Sequence, residues 1–319
     1  MTFPTSALLG LQQLTYLELA CVYLQGPDLE GPALQPLQAL TRLADLRLAP
    51  VIAPDSLVAV DGSMLSGMQH LTRLEVGSRA ELDPGALAGK TRLQHLKLSC
   101  SIADAATTGL TQLLSELQQL QQLTHLVLTR EVFQEGDPPA ASISALTASS
   151  KLQQLILRGC PLASAAWPLM FPAGRQLPHL QSLDISRHLP SDEVVSAPEG
   201  SRLVSCCPGL RSLHMRYLQY SAELLAPLQG LGDLHTLHVA TVGVGEGLEV
   251  VGQLTGLRDL SMFAACSTEG LLLQLTQLKQ LTRLCYTGCL AGECPHFCTV
   301  WTSQVGLPSG LFHKTNVVK

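Results

Sequence analysis

Aromatic side chains are scarce in this sequence: Phe, Trp and Tyr together supply 4% of its 319 residues. A core cannot be filled with rings under that restriction, so the 46% of hydrophobic residues, most visibly leucine, must fill it with branched aliphatic groups. Lys and Arg never gather into a run and the formal charge is −5, so no basic field exists to hold a phosphate backbone, and nucleic acid is not an expected partner. Asparagine occurs once, at Asn316, and is followed by Val317 and Val318, which leaves no N-glycosylation acceptor. No run is both uncharged and predominantly apolar over the roughly 20 residues that a membrane span needs. The candidate between Arg158 and Arg175 is too short to span a bilayer and is broken by Pro161, Pro168 and Pro172, so no membrane association is expected. The start, MTFPTSALLGLQQLTYLEL, carries no Lys or Arg before its apolar stretch, which reads against a secretory leader. Cysteines are present but scattered, at Cys21, Cys100, Cys160, Cys206, Cys207 and Cys266 before a late cluster. They lack the framework of a small secreted domain, and reduced, packed thiols in the cytosol or nucleus are expected.

What is present is one wording, repeated. LQQLTYLEL begins at Leu11, LTRLADLRL at Leu40, MQHLTRLEV at Met68, LQHLKL at Leu93 and LQQLTHLVL at Leu120. LQQLIL follows at Leu152, LPHLQSLDI at Leu177, CPGLRSLHM at Cys207, LGDLHTLHV at Leu231, LTGLRDLSM at Leu254 and LKQLTRLCY at Leu278, which makes eleven copies. The first apolar residue of each terminal apolar-x-apolar unit marks the period: Leu17, Leu46, Leu74, Leu96, Leu126, Leu155, Leu183, Leu213, Leu237, Leu260 and Leu284. Successive markers differ by between 22 residues (Leu74 to Leu96) and 30 residues (Leu96 to Leu126).

Over residues 11 to 290 this pattern resembles the leucine-rich-repeat family, whose repeats have this length. The resemblance implies an α/β leucine-rich-repeat solenoid, a curved horseshoe with a parallel β-sheet on its concave face and helices with irregular turns on its convex face. Strand geometry agrees. In LxL the two leucines point to one side and the middle residue to the other, and no single repeat can bury its leucines alone. Linkers at residues 104–119, 221–228 and 268–278 read as helical turns, with Asp104, Ser221 and Thr268 as N-caps.

One family feature is mostly absent. The Asn or Cys ladder position, three residues after the LxL unit, is matched by Cys160 and Cys289, whereas Val22, Val51, Arg79, Ser101, Glu131 and Val242 stand there in other repeats. Less regular turns and weaker cooperativity are therefore expected. The stretch CCPGLRSLHM, Cys206 to Met215, is similar to the cysteine-containing subtype common beside F-box modules, and no F-box-like segment precedes the array. The leucine, glutamine and threonine wording is also similar to repeat proteins abundant in green algae, some of them associated with ciliary axonemes. The resemblance thus implies a cytoplasmic location, with the cytoskeleton or the cilium axoneme as the alternative.

The middle residues of the LxL units form one column on the open face: Glu18, Arg47, Glu75, Lys97, Val127, Ile156, Asp184, His214, His238, Ser261 and Cys285. Its first four members alternate in sign, as Asp45 and Arg73 do in the column before, and are expected to pair with each other. Val127 and Ile156 have no structural reason to face solvent on adjacent rungs. With His125, Gln154, Thr129 and Arg158 around them they mark a contact patch. Asp184 beside His214 is expected to favour the protonated imidazole and to extend a polar binding surface to His238. The partner-binding set is therefore His125, Val127, Gln154, Ile156, Arg158, Asp184, His214 and His238.

Four chemistries fail on the same column and its neighbours. Asp184, His214, His238 and Ser261 place a carboxylate, imidazoles and a hydroxyl in order, but on an open sheet without a pocket or an oxyanion site, so the chain is not read as an enzyme. Three side chains in line do not converge on one ion, so Asp184, His214 and His238 are not read as metal ligands. Cys285, Cys289, Cys294, His296 and Cys298 lack the paired short spacing of a zinc module. Gly243, Gly245 and Gly247 follow a strand as a dinucleotide loop would, but Leu248 stands where the third glycine is required. No metal and no cofactor are expected.

Two segments are expected, a repeat domain over residues 1–290 and a C-terminal cap or disordered tail over 291–319, where Trp301, Leu307, Leu311 and Phe312 could cover the last repeat. The expected function is that of a monomeric protein–protein interaction scaffold, binding a protein partner through a concave sheet roughly 50 Å long. The alternative is the regulatory or substrate-receptor portion of a ubiquitin-ligase or immune-type protein whose effector module lies elsewhere.

Overall fold

A computed structural model describes residues 10–23, 34–51, 58–103, 107–133, 140–160, 166–186, 194–195, 197–215, 219–220, 225–241, 248–264, 275–288, 298–302 and 313–317. The chain divides into two compact units, Met1–Met170 and Phe171–Lys319.

The first unit is organised by strands β1 (Tyr16–Tyr23), β2 (Asp45–Val51), β3 (Val58–Val60), β4 (Arg73–Val76), β5 (Ala80–Leu82), β6 (His95–Leu98), β7 (Ser101–Ile102), β8 (His125–Thr129) and β9 (Gln154–Arg158). The main sheet runs β1-β2-β4-β6-β8-β9, every pair parallel, one strand per repeat. Each repeat is called a rung below. The register places the marker leucines opposite one another, Leu17 against Leu46, then Leu74, Leu96, Leu126 and Leu155. All are buried. Burying one leucine contributes about 1.5–3 kcal/mol, and a stack in register secures that gain only for rungs that have neighbours.

The second unit repeats the plan with β10 (Ser182–Asp184), β11 (Val194–Val195), β12 (Ser212–Met215), β13 (Gln219–Tyr220), β14 (Thr236–Thr241), β15 (Asp259–Ala264) and β16 (Arg283–Gly288). Its parallel ladder aligns Leu183, Leu213, Leu237, Leu260 and Leu284. Two further strands, β17 (Cys298–Thr302) and β18 (His313–Val317), continue this sheet with antiparallel pairing, β17 on β16 and β18 on β17. Leu307, Leu311 and Phe312 lie outside the described residues, as do Cys289, Cys294, His296, Val242, Gly243, Gly245, Gly247, Asp104, Ser221 and Thr268.

The LxxL half of the motif is a tight turn in every rung. The amide of its last residue donates to the carbonyl three residues earlier, from Leu14 to Leu11 through Leu281 to Leu278, at 2.9–3.4 Å. An i to i+3 turn brings both ends of LxxL to one side, which is why both ends are apolar except where Lys90 and Ser149 begin the turn. The following residue then gives its carbonyl to two amides of the next rung, as Thr15 does to Ala44 and Asp45 at 2.9 and 3.0 Å, and Gln181 does to Arg211 and Ser212 at 2.9 Å each. Where that next residue is threonine, its hydroxyl adds a third bond: Thr72, Thr124 and Thr282 donate to the carbonyls of Ala44, Gln94 and Arg258 at 3.0, 2.9 and 2.9 Å.

On the far side of the first unit, β3, β5 and β7 form a second parallel ladder. Irregular turns were the expectation there, because the side-chain ladder is missing. At these rungs backbone bonds between neighbours take its place, with Ser101 of β7 adding a hydroxyl bond to the Ala80 carbonyl at 3.4 Å. Where Cys160 does match the ladder, its Sγ lies 3.8 Å from the Leu128 carbonyl of the preceding rung.

The linkers pack as short helices. Helix α1 (Gly62–Ser66) is capped by Asp61, whose carboxylate accepts from the Met64 amide at 2.7 Å. Helix α2 (Thr107–Gln119) buries Leu110, Leu113, Leu114 and Leu117, an i, i+3, i+4, i+7 stripe. Its Glu116 reaches the preceding rung and accepts from the amides of Gly85 and Leu87 at 2.6 and 3.0 Å. Burial raises the Glu116 pKa while those two amides pull it down. Gly85 has φ +93°, a left-handed backbone that no other residue adopts without strain. Among the described residues the remaining α-helices are α3 (Trp167–Met170), α4 (Ala197–Cys206) and α5 (Leu248–Gln253). Of the segment expected to be helical at 221–228, residues 221–224 lie outside the described residues, and Ala226–Gly230 forms a 3-10 turn with proline in its first turn. Among the described residues no helix is long and apolar enough to cross a membrane.

Candidate functional site

The alternating strand pattern leaves the residue between each pair of buried leucines on the open side of the sheet. In the first unit the register aligns Glu18, Arg47, Glu75, Lys97, Val127 and Ile156, with Tyr16, Asp45, Arg73, His95, His125 and Gln154 alongside. The expected self-pairing of charges is present and is two-dimensional. Arg47 binds Asp45 on its own strand at 3.1 Å and reaches Glu75 on the next at 3.7 Å. Arg73 lies 4.0 Å from Asp45, and its Nε donates to Glu75 at 2.8 Å. Lys97 and His95 each approach Glu75 to 3.7 Å. Burial alone would raise the Glu75 pKa, but the Arg73 hydrogen bond and the charges of Arg73, Lys97 and Arg47 outweigh it and leave the carboxyl lowered. At the end of the column, Glu18 accepts from the Tyr16 hydroxyl, and Arg47 lies 5.3 Å above that ring.

His95 and His125 follow as a tilted ring pair with centroids 5.2 Å apart. Burial, together with the Arg73 charge and the neighbouring His125, lowers the His95 pKa to about 4. Burial and Arg73 lower that of His125 as well, and Thr124 Oγ1 lies 2.9 Å from its Nδ1. Both imidazoles are thus neutral at pH 7, and the ionic network ends against an uncharged edge.

Beyond that edge Val127 faces Ile156, both half-buried, while His125 stands opposite Gln154 and Thr129 opposite Arg158. The structure therefore brings His125, Val127, Gln154, Ile156 and Arg158 together on β8 and β9. The partial exposure of the two apolar side chains follows from their neighbours, since the leucines on either side, Leu126, Leu128, Leu155 and Leu157, take all the space beneath the sheet.

The other three predicted residues form a separate group in the second unit, and two of them are not on an open surface. Asp184 is 4% exposed and His238 6%. Their burial corrects the reading of Asp184 and His238 as solvent-facing. The His214 and His238 rings stack, with centroids 4.1 Å apart and an 18° interplanar angle, so His214 covers His238. Asp184 accepts from the Ser186 amide at 3.1 Å and lies 3.8 Å from His214 Nδ1, while the other His214 nitrogen lies 3.1 Å from Ser212 Oγ. His238 Nε2 is 3.4 Å from Asp259 Oδ1, and Arg283 approaches the other Asp259 oxygen at 3.6 Å. Asp259 sits in the column beside the one singled out from sequence, which is why it was missed. Stacked rings aim their nitrogens at different carboxylates, so they share no common point for a metal. Among the described residues no group of three His, Cys, Asp or Glu is placed to hold one.

Among the described cysteines, Cys285 is half-buried and the other free thiols lie in the core. Cys100, Cys160, Cys206 and Cys207 are buried free thiols, and burial pushes Cys100 up to about 12 and Cys207 up further.

No family model matches this sequence, and no curated protein matches it. Solved structures do. An internalin (inlF) from Listeria monocytogenes superposes over 90% of this chain and 81% of its own with TM-score 0.55 and 19% identity. A second Listeria monocytogenes internalin, C2, covers 81% of this chain and 90% of its own with TM-score 0.39 and 17% identity. A plant peptide hormone receptor, RGFR1 in complex with RGF2, has TM-score 0.48 and 14% identity, and this chain spans 46% of it. The first of these likenesses shows the fold, and together with the in-register parallel ladders it makes this chain a leucine-rich-repeat solenoid.

Proposed function

We propose that this solenoid is a protein–protein interaction scaffold whose first unit binds its partner through β8 and β9, with Val127 and Ile156 as the anchor. The observation that carries the proposal is the placement of those two side chains. They lie on adjacent rungs in register, partly exposed, directly beyond a charge network that satisfies itself. Glu75, Arg47, Arg73 and Lys97 give a partner little to gain, since displacing their mutual contacts costs as much as new ones return. An apolar centre with His125, Gln154, Thr129 and Arg158 around it offers what a specific interface needs, desolvation in the middle and hydrogen bonding at the rim.

A cytoplasmic location accompanies this reading, with the free, unbridged thiols of Cys100, Cys160, Cys206 and Cys207 in its favour. Binding rather than catalysis is supported by the ring stacking that commits His238 to His214 and Asp259 instead of Ser261.

The test is quantitative capture from the native cell with the parent protein, a Val127→Asp/Ile156→Asp variant and a Lys97→Ala variant, each shown to fold by circular dichroism. Specific partners should be lost from the double variant and kept by Lys97→Ala. Equal recovery by the double variant and the parent would overturn the proposal.

A further inference from the structure

A second surface lies on the rim of the first unit, outside the β-sheet face on which the scaffold proposal rests. The third residue of each LxxL turn forms a column there: Gln13, Arg42, His70, Arg92, Gln122 and Lys151, all exposed. Gln or His alternates with Arg or Lys, and each Arg or Lys is tied to the Gln or His one rung before it. Arg42 donates to Gln13, Arg92 Nη1 lies 3.1 Å from His70 Nδ1, and Lys151 Nζ donates to Gln122 at 2.5 Å. These ties hold the long side chains in place without neutralising them. Neither the second residue of the LxxL turn nor the residue directly after the turn is Asp or Glu at any of these six rungs; the acidic Asp45 comes one residue later, on the sheet face. The chain as a whole is net negative, yet this rim presents positive charge and amide groups with no carboxylate among them.

The spacing selects a ligand. Cations stand on every second rung, and rungs repeat at about 4.8 Å, so the charges recur at about 10 Å. A polyproline II segment advances about 9.3 Å per turn of three residues, so a carboxylate at every third position would follow the cations one for one. A β-strand repeats its face at about 6.7 Å and runs out of step. Midway along the rim, an open cleft of about 550 Å³ lies around Arg92, lined also by Thr72, Thr91, Gln94, Gln119, Gln121 and Gln122. It has room for several residues of a peptide, with the Arg92 guanidinium and glutamine amides available to an acidic side chain. Nucleic acid is the poorer fit, because tight binding to a phosphate backbone draws on roughly 6–10 contacts and this rim offers three cations.

We infer that the LxxL rim of the first unit binds an acidic, extended protein segment of polyproline II form, with carboxylates at every third residue placed against Arg42, Arg92 and Lys151.

The probe is a fluorescein-labelled peptide of six Glu-Pro-Pro repeats, titrated with the full chain by anisotropy at low salt. Two further peptides serve as controls, one with Gln for Glu and one of six Glu-Pro-Pro-Pro repeats, which keeps the charge and breaks the spacing. Saturable binding of the first peptide is expected, at least about tenfold tighter than either control and weakening as salt screens the contacts. Arg42→Ala/Arg92→Ala/Lys151→Ala should weaken it about tenfold or more, and Arg92→Glu alone should do most of that damage. The Val127→Asp/Ile156→Asp variant should bind it as the parent does, which separates this surface from the sheet face. The inference is overturned by no binding, by equal binding of the Glu-Pro-Pro-Pro peptide, by binding unchanged in both rim variants, by loss of binding in the sheet-face variant, or by an oligothymidylate of equal charge binding more tightly than the peptide.

Discussion

Ser149 Oγ donates to the Leu123 carbonyl of the preceding rung at 2.7 Å, from a position that is leucine in most other repeats. The same oxygen lies 3.1 Å from the Gln121 carbonyl. A buried hydroxyl is tolerated there because the neighbouring turn supplies acceptors where a leucine would supply only packing. Removing the hydroxyl leaves a buried carbonyl without a donor and a small void. Ser149→Ala should therefore lower the stability of the chain by about 1–2 kcal/mol, read from the urea midpoint. An unchanged midpoint would mean that the hydroxyl contributes nothing net.

Lys90 is the other polar residue at a leucine position, 4% exposed, with its Nζ 3.4 Å from the Ser66 carbonyl. Burial lowers its pKa, so the folded chain disfavours the ammonium relative to the unfolded one. The sign follows: the penalty is complete below the folded pKa and is relieved as pH rises through it toward the unfolded value. Lys90→Met should stabilise the protein by about 1 kcal/mol at pH 7, with a smaller gain near pH 10. A loss of stability at pH 7 would show that the Ser66 contact outweighs the cost of burial.

Acid should destabilise the first unit in two stages. His95 has its pKa lowered from 6.5 to about 4, so its contribution is complete above about pH 6.5 and is lost as pH falls from there toward 4. Glu75, also lowered, keeps its contribution down to its ordinary value of 4.5 and loses it below. Between pH 7 and pH 5 the loss should be about 2 kcal/mol, from the His95 shift alone. His95→Gln should flatten that interval except for the contribution of His125, and leave the steeper fall below pH 4.5. A parent protein equally stable at pH 7 and pH 5 would contradict the assignment.

Much of the architecture was legible from the leucines. The eleven markers from Leu17 to Leu284 are the residues that the sheet register aligns within each unit, because only a parallel stack buries an LxL side of every repeat at once. The charge alternation from Arg47 to Lys97 was legible for the same reason, since register converts a sequence column into neighbours. Asp184 and His238 were not. Position in a strand says which side a side chain leaves from, but their burial depends on the stacked His214 ring and on the Ser186 turn, which belong to other residues.

The turn chemistry shows the same division. The missing Asn ladder suggested loose turns, whereas β3, β5 and β7 close those rungs through backbone bonds, whose formation does not depend on side-chain type and so leaves little mark in the sequence. Thr72, Thr124 and Thr282 were visible just before their strands but had no meaning until their hydroxyls were seen to join two amides on one carbonyl.

By itself, then, the sequence determined the repeat, its period, the side of each strand that is buried and the aliphatic nature of the core, all of which follow from a periodicity that local geometry reads directly. Only the tertiary structure decided which polar residues are exposed, which cations are held in line along the rim of the first unit, and which of two histidines in one column is covered. Those outcomes depend on contacts between rungs 22 to 30 residues apart, and no single repeat contains them.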